Sequence, residues 1–195
     1  VPEVIPSEAL VNPLESLRNG QYQLTWSSLV SGTYRMAITL DDIHIKDSPF
    51  NIPIGAGSTS LEHSEYVGDG LTATVAGAVT TYDVMTKDMY GNARSEAVAE
   101  AFNAEVMVVV NGGASFSTIS ADVVDNGDGS LTVTYDRTLT VVGVHNQYMT
   151  LGSTQAHQET IEISPAELDP ATSLADGPGL LGSFAGTSAS FEILP

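Results

Sequence analysis

Cysteine is absent from the 195 residues, so the chain can form neither a disulfide nor a thiolate metal site. Basic residues are scarce: six Lys and Arg stand against 24 Asp and Glu, for a formal net charge of -18. A surface of that sign repels phosphate backbones and anionic lipids, so we expect no nucleic-acid binding and no docking on anionic membranes. No apolar run reaches the ~20 residues of a membrane-spanning helix, which predicts no membrane insertion in this segment.

Two further absences concern the compartment and the ends of the chain. The sequence has no Asn-x-Ser/Thr glycosylation site and cannot form a disulfide. The lack of both is more common in cytosolic proteins than in secreted ones. Sandwich domains of ~100 residues also fold without disulfides, so an extracellular location stays open beside a cytoskeletal or ciliary one. Residues 1–10 lack the basic start and apolar core of a signal peptide. Because the chain begins without Met, we expect a processed or excised segment of a longer protein.

The composition favours an all-β fold. Apolar residues make up 42% of the chain and charged residues only 15%, so it should form a packed core. Thr, Ser, Val and Gly are frequent, apolar and polar residues often alternate, and long segments of helical period are nearly absent. The stretch 95–106 is the one with some helical character, and we consider both a short helix and a loop there.

Internal similarity divides the sequence into repeats of about 110 residues. Residues 64–84 match residues 173–193 without a gap at an offset of 109, and residues 19–26 match 128–135 at the same offset. Residues 32–40 match 143–151 at an offset of 111. We therefore expect the back part of one repeat in 1–55, an entire repeat in 56–165, and the opening part of a third in 166–195.

Five short motifs in this order resemble the filamin-type repeat, which is an immunoglobulin-like antiparallel β-sandwich. The motifs are Gly32 with Tyr34, Ile45 with Ser48-Pro49-Phe50, Gly68-Asp69-Gly70-Leu71, Ala76-Gly77, and Asp88 with Gly91-Asn92. The resemblance spans nearly the whole chain and implies tandem sandwich repeats. It departs in the second half of the central repeat, where His145 stands at the position of Tyr34 and "QETIEISP" replaces Ser-Pro-Phe.

Alternation and turn residues predict seven strands in the central repeat, with Leu71, Tyr82, Val84, Val133 and Tyr135 in one core. The predicted strands are 71–75, 79–86, 102–110, 115–124, 131–135, 145–151 and 160–163. In the first repeat the alternation of Phe50, Ile52 and Ile54 predicts a closing strand that starts at Pro49, where no N–H donor is needed. Trp26 alternates with Tyr22 and Leu24, which predicts a core position for its ring.

Residue types that carry chemistry are few, and we predict no catalytic site, no cofactor and no bound metal. Asp122, Asp125 and Asp128 lie in "DVVDNGDGS", but glycines break the alternating oxygen ligands of a calcium loop, and Asn-Gly and Asp-Gly are typical hairpin turns. The four histidines are scattered without metal-ligand spacing. In "HSE", at 63–65, neighbouring side chains of a strand would face opposite sides, so they form no triad.

The prediction for function is a structural or scaffolding segment of a multi-repeat protein, in which the repeats act as spacers and bind protein partners or neighbouring repeats. The filamin-type resemblance implies that a partner peptide is added as a strand beside 102–110 and 115–124. The predicted binding residues at this strand edge are Phe102, Val106, Val108, Val110, Phe116 and Ile119. An extracellular adhesive or surface-filament array is the alternative, and a non-catalytic module beside an enzyme domain is a third.

Overall fold

The described residues of the chain are almost entirely strands and turns. A computed structural model describes residues 10–11, 15–98, 100–110, 115–153, 155–171 and 173–194. Within those ranges the helical elements are two 3-10 turns, at Asp69–Leu71 and Pro178–Leu180. The all-β prediction is confirmed. A helix over 95–106 does not form, since residues 95–98 lie in a loop and a strand begins at Phe102, while residue 99 falls outside the described ranges.

The strands are numbered in chain order over the described ranges. Before residue 60 they are β1 (Leu10–Val11), β2 (Glu15–Ser16), β3 (Tyr22–Gln23), β4 (Trp26–Ser27), β5 (Gly32–Met36), β6 (Thr39–Leu40), β7 (Ile43–His44) and β8 (Phe50–Ile54). The middle of the chain forms β9 (Glu65–Val67), β10 (Ala73–Val75), β11 (Val79–Met85), β12 (Phe102–Val110), β13 (Ser115–Ser120), β14 (Asp122–Asp125), β15 (Ser130–Asp136), β16 (Gly143–Leu151) and β17 (Gln155–Ser164). The last two are β18 (Leu174–Asp176) and β19 (Glu192–Leu194).

Strands β9 to β17 form a sandwich of two sheets. One sheet has the order β10-β17-β16-β12-β13 and the other has the order β14-β15-β11-β9. All neighbours are antiparallel except β10 and β17, which run parallel. The shared core contains Tyr82, Val84, Val133 and Tyr135, with Leu71 packed against it, as the alternation predicted.

The sandwich has nine strands where the sequence predicted seven. The predicted opening strand 71–75 is a strand only at Ala73–Val75, which is β10, and β9 was missed; between the two, Gly68 has φ 134° and redirects the chain into the 3-10 turn. The strand predicted over 115–124 is split at Ala121, whose N–H donates to the carbonyl of Ala104 at 2.9 Å. The chain crosses from one sheet to the other at each of these points.

The local geometry recurs along the chain at the offsets found in the sequence. In the pairing of β11 with β9, Val84 lies opposite Tyr66, and 109 residues later Ile193 lies opposite Ala175. In the pairing of β16 with β17, His145 lies opposite Ile161, just as Tyr34 lies opposite Ile52 in β5 and β8. The sequence similarity therefore reflects shared strand pairing.

The first strand expected to bind a partner is an inner strand of its sheet. Residues 105–107 of β12 pair with β13 on one side and with β16 on the other. The side chains of Phe102, Val106 and Val108 are buried in the core. Over these residues β12 has no free side for an added strand, because β16 pairs with the side opposite β13. Among the described residues, β13 is an edge strand of this sheet, as is β10 at the opposite side.

Candidate functional site: the Asp88–Asn92 junction and the β13 edge

Asp88 organises the loop that follows β11. Its Oδ1 accepts hydrogen bonds from the backbone N–H groups of Tyr90 and Asn92, both at 2.9 Å. A side-chain oxygen that accepts from the backbone two residues later is typical of an Asx turn. Gly91, with φ 83°, completes the reversal, so the motif Asp-x-x-Gly-Asn has a direct structural cause.

The second carboxylate oxygen of Asp88 binds the segment that links β8 to the sandwich. Oδ2 accepts from the Gly57 N–H and from Asn92 Nδ2, each at 2.8 Å. Asp88 is only 2% exposed. Desolvation would raise the pKa of its carboxyl, but the hydrogen bonds from the Asn92 side chain and from the N–H groups of Gly57, Asn92 and Tyr90 lower that pKa to about 2. The group is therefore held as a carboxylate.

Asn92 joins this loop to a corner of the chain 61 residues earlier. Its Nδ2 donates to the carbonyl of Leu29 at 2.8 Å, and its Oδ1 accepts from the Ser31 N–H at 2.9 Å. Both the donor and the acceptor of the side-chain amide therefore bond the same backbone corner. The second N–H of Nδ2 donates to Asp88 Oδ2. We call the contact between Leu29–Ser31, Gly57 and Asp88–Asn92 the junction.

The corner that Asn92 binds is stiffened from within by an aromatic side chain. The hydroxyl of Tyr34 donates to the carbonyl of Val30 at 2.7 Å, and the Tyr34 ring packs against Trp26 with centroids 5.4 Å apart. A tyrosine hydroxyl bonded a few residues upstream is a feature of immunoglobulin-like sandwiches. Trp26 is half-buried in this contact and does not belong to the buried core of the described residues, where alternation placed its ring.

Sequence reasoning noted Asp88, Gly91 and Asn92 as a motif but missed their role at the junction. The Asn92 N–H bonds Asp88 within the loop, whereas its side-chain Nδ2 bonds the distant carbonyl of Leu29. Spacing along the chain gives no sign of this second partner. A usable signal was present nonetheless. The Gly91-Asn92 pair marks an amide side chain that can bond backbone groups at a turn.

The six residues predicted to bind a partner fall into two groups. Phe102, Val106 and Val108 face the core, and the side chain of Val110 lies outside the described residues. On the edge strand β13, Phe116 is 65% exposed, and Ile119 packs partly against the core. The structure thus leaves Phe116 as the accessible member of the set, and binding by any of them stays a prediction.

The acidic turn at 125–130 uses its carboxylates internally. Asp125 accepts from the N–H groups of Val98 and Gly127, at 2.7 and 2.8 Å. Asp128 accepts from the N–H and the hydroxyl of Ser130, and these bonds lower its pKa. Among the described residues no three His, Asp or Glu side chains are grouped to hold a metal ion.

The histidines have separate surroundings. His145 is 5% exposed and donates from Nε2 to the carbonyl of Val141 at 2.7 Å. His63 lies beside Ser60, with 2.9 Å between Nδ1 and Oγ, and His44 contacts Ser48 at the surface. The ring of His157 stacks on Tyr66 with centroids 4.3 Å apart. Desolvation first, and the charge of Glu159 second, raise the pKa of the Tyr66 hydroxyl.

In the part of the chain that the structure describes, no helix has the length and apolar character needed to cross a membrane.

Several solved structures of low sequence identity resemble this chain, and no known family profile matches it. FdeC, an Escherichia coli adhesin, is 20% identical with a TM-score of 0.53 over 87% of this chain and 52% of that one. The filamin domain of Lin-41 is 17% identical with a TM-score of 0.41, over 55% of this chain and 97% of that one. Domains 4 and 5 of the S-layer protein SbsC are 18% identical with a TM-score of 0.39, over 71% and 68%. The chain has the immunoglobulin-like β-sandwich repeat fold, consistent with the filamin-type repeat that its motifs resemble.

Proposed function

We propose that this chain is a segment of a multi-repeat structural protein, in which sandwich repeats serve as spacers and as protein-interaction modules. The proposed repeats are 1–55, 56–165 and 166–195, with the first and third represented in part. The recurrence of strand pairing at offsets of 109 and 111 supports this division. The proposed role is non-catalytic, since each chemical group described above is used in packing, turns or the junction.

The observation that carries the spacer function is the bonding of Asn92 to Leu29 and Ser31. A linker alone would leave the relative orientation of successive repeats free, since domain motion is the default where no contact joins the domains. Here an asparagine of one repeat bonds two backbone groups of the preceding one, and the buried Asp88 ties the same loop to the linker at Gly57. This arrangement sets a preferred angle between the two repeats.

Hydrogen exchange at Ser31 tests this role. Replacing Asn92 by Ala removes the acceptor of the Ser31 N–H, so its exchange should accelerate at least about tenfold, or about 1.4 kcal/mol of lost protection. Asn126→Ala is the matched control, because Asn126 bonds Ser130 within a remote turn. Unchanged Ser31 exchange in Asn92→Ala would overturn the joint, and a change in both variants would indicate general destabilisation.

The interaction function is proposed for the open edge of β13. An edge strand presents unpaired N–H and C=O groups to which an extended segment can be added, with alternate side chains giving specificity. Phe116 stands exposed on this strand, next to Ser117, which pairs with Val108. We propose that a partner strand binds here, on the outer side of β13.

A displayed library of random peptides can test the β13 edge. Peptides are first selected for binding to the wild-type 195-residue chain, and their affinity is then measured for Phe116→Pro and Ser117→Pro. For one of these two variants the affinity should be at least about tenfold lower than for the wild type. Adjacent N–H groups of a strand point in opposite directions, so only one of these prolines removes a donor from the open edge. Binding that survives in both folded variants would exclude strand addition at β13.

An adhesive or surface-filament array is the second candidate. The likeness to the adhesin FdeC, at a TM-score of 0.53 over 87% of this chain, favours it. In that case contacts would be made by loops, and the exposed Met89 and Tyr90 of the Asp88–Asn92 loop are the apolar pair best placed for them. Loss of ligand binding in Met89→Ser with Tyr90→Ser, but not in the β13 variants, would distinguish this function.

A further inference from the structure

The corner that precedes β16 in the central sandwich is built like the corner 29–31 of the junction. At the offset of 111, residues 140–142 correspond to residues 29–31. The middle carbonyl of the second corner, that of Val141, accepts a hydrogen bond from His145 Nε2 at 2.7 Å. The hydroxyl of Tyr34 holds the middle carbonyl of the first corner at the same distance.

The backbone leaves the two corners along the same path. Gly143 follows the second corner with φ 130°, and Gly32 follows the first with φ 146°. Gly143 lies opposite Ile163 in β17, as Gly32 lies opposite Ile54 in β8. Each corner therefore has the same position relative to the strand that leads into the next segment of the chain.

The groups that Asn92 binds at the first corner are present at the second. Asn92 bonds the carbonyl of Leu29 and the N–H of Ser31. The equivalent groups are the carbonyl of Thr140 and the N–H of Val142, and neither bonds another described residue. Because only backbone groups are involved, the change of side chains between the two corners does not alter what they can bind.

The second corner is held in place before anything binds it. Leu139 is buried in the core, and its carbonyl accepts from the Gly77 N–H at 2.9 Å. The carbonyl of Val141 is held by His145. The peptide groups on both sides of Thr140 are thus fixed, so binding at this corner costs little ordering of the backbone.

The segment after β17 supplies the third group of the junction. At the offset of 109, Ala166 corresponds to Gly57, whose N–H donates to Asp88 Oδ2. A Cβ atom at Gly57 would lie 3.4 Å from that oxygen, which is an ordinary contact distance, so alanine fits the same place. Within the described ranges, the Ala166 N–H has no hydrogen-bond partner.

We propose that Thr140, Val142 and Ala166 form a socket for an Asp-x-x-Gly-Asn loop carried by another repeat of this type. The asparagine amide bonds the Thr140 carbonyl and the Val142 N–H, and the aspartate accepts from the Ala166 N–H. This inference rests on the proposed spacer function and extends it to the other end of the central repeat. One repeat then carries the loop at one end and the socket at the other, so the contact is directional.

The chemistry of the socket selects the side chain that enters it. It offers one acceptor and one donor two residues apart, and a carboxamide presents one donor and one acceptor in a single plane. A carboxylate only accepts and an ammonium group only donates, so each would leave one backbone group of the socket unpaired. Asparagine is therefore the partner that satisfies both Thr140 and Val142.

An extended chain tests the socket, with residues 1–166 followed directly by a second copy of residues 58–195. Ala166 then takes the place of Gly57, and the added 88–92 loop stands as many residues after β17 as the first loop stands after β8. Hydrogen exchange of the Val142 N–H should be at least about tenfold slower than in the 195-residue chain. Asn92→Ala in the added copy should abolish this slowing, whereas the control Asn126→Ala in the same copy should not.

The two junctions have separate readouts in the extended chain. Asn92→Ala in the first copy alone should accelerate exchange at Ser31, which reports the spacer function, and leave Val142 unchanged. Equal Val142 exchange in the extended and 195-residue chains would overturn the socket even where Ser31 behaves as expected. Slowing that survives Asn92→Ala in the added copy, or equal effects of that variant and Asn126→Ala, would overturn it as well.

A matched pair of substitutions at Ala166 tests the third group. In the extended chain, Ala166→Pro removes the N–H that the aspartate needs, whereas Ala166→Gly recreates the residue found at position 57. Val142 exchange should be at least about threefold faster in the proline variant than in the glycine variant. Equal exchange in the two variants would overturn the place of Ala166 in the socket.

Discussion

Tyr34 and His145 fill the same corner of the fold, 111 residues apart, and each bonds the carbonyl four residues before it. The Tyr34 hydroxyl lies 2.7 Å from the Val30 oxygen, and His145 Nε2 lies 2.7 Å from the Val141 oxygen. Each also lies opposite an isoleucine of the neighbouring strand, Ile52 or Ile161. The imidazole therefore replaces the phenol as ring and as donor.

This equivalence predicts the effects of substitution at His145. His145→Phe keeps a ring but leaves the Val141 carbonyl without its donor, so it should cost about 1–3 kcal/mol of unfolding free energy. His145→Tyr restores the hydroxyl found at the first corner and should cost less than the Phe variant. Denaturant unfolding followed by circular dichroism measures both. Equal stability of His145→Phe and the wild type would contradict a role for the Nε2 bond.

Acid should weaken the junction through Asp88. Its pKa is lowered to about 2 in the folded chain, against an ordinary value near ~4 in the unfolded chain. As pH falls, the unfolded state takes up the proton first, so the stability contributed by this carboxylate is complete above pH ~4 and is lost between ~4 and ~2. The stability difference between wild type and Asp88→Asn should shrink over that window. A difference that is constant from neutral pH down to ~2 would contradict the assignment.

Strand alternation was enough to place the core, but not to assign the sheet edges. Tyr82 and Val84 alternate with exposed residues in β11, so the pattern identified their inward face directly. The run at 106–110 lacks alternation, and this is compatible with an edge strand or with one paired on both sides. Whether the strand is an edge or an inner strand depends on its pairing with β16, some 40 residues later, and on the crossing of the chain at Ala121. Such long-range pairing is set by tertiary packing and not by local sequence.

Gly70 is a position where the fold leaves no room for a side chain. A Cβ atom there would lie 2.5 Å from the Thr81 carbonyl oxygen and 2.7 Å from the Thr80 Cγ2 atom. Gly70→Ala should therefore destabilise the sandwich by more than about 2 kcal/mol, since backbone has to move. Gly55→Ala is the matched control, with open space at its Cβ position and an expected change within about 0.5 kcal/mol. Similar unfolding midpoints for the two variants would refute the close packing of the 3-10 turn on β11.

Excess chelator should leave the melting temperature of the chain nearly unchanged. Asp125 and Asp128 are occupied by hydrogen bonds to Val98, Gly127 and Ser130, which fix the turn without a cation. A fall of more than ~5 °C on chelation would indicate a bound ion that contributes on the order of 1 kcal/mol or more. Differential scanning calorimetry with and without chelator provides the measurement.

The central claim is that Asn92 holds the segment before the linker at a fixed angle to the central sandwich. Nitrogen-15 relaxation measures it most directly, by giving a rotational correlation time for residues 22–54 and another for residues 59–164. The bonds from Asn92 to Leu29 and Ser31 predict a single shared correlation time in the wild-type chain and two distinct times in Asn92→Ala. Two distinct times already present in the wild type, or one time that persists in the variant, would contradict the account.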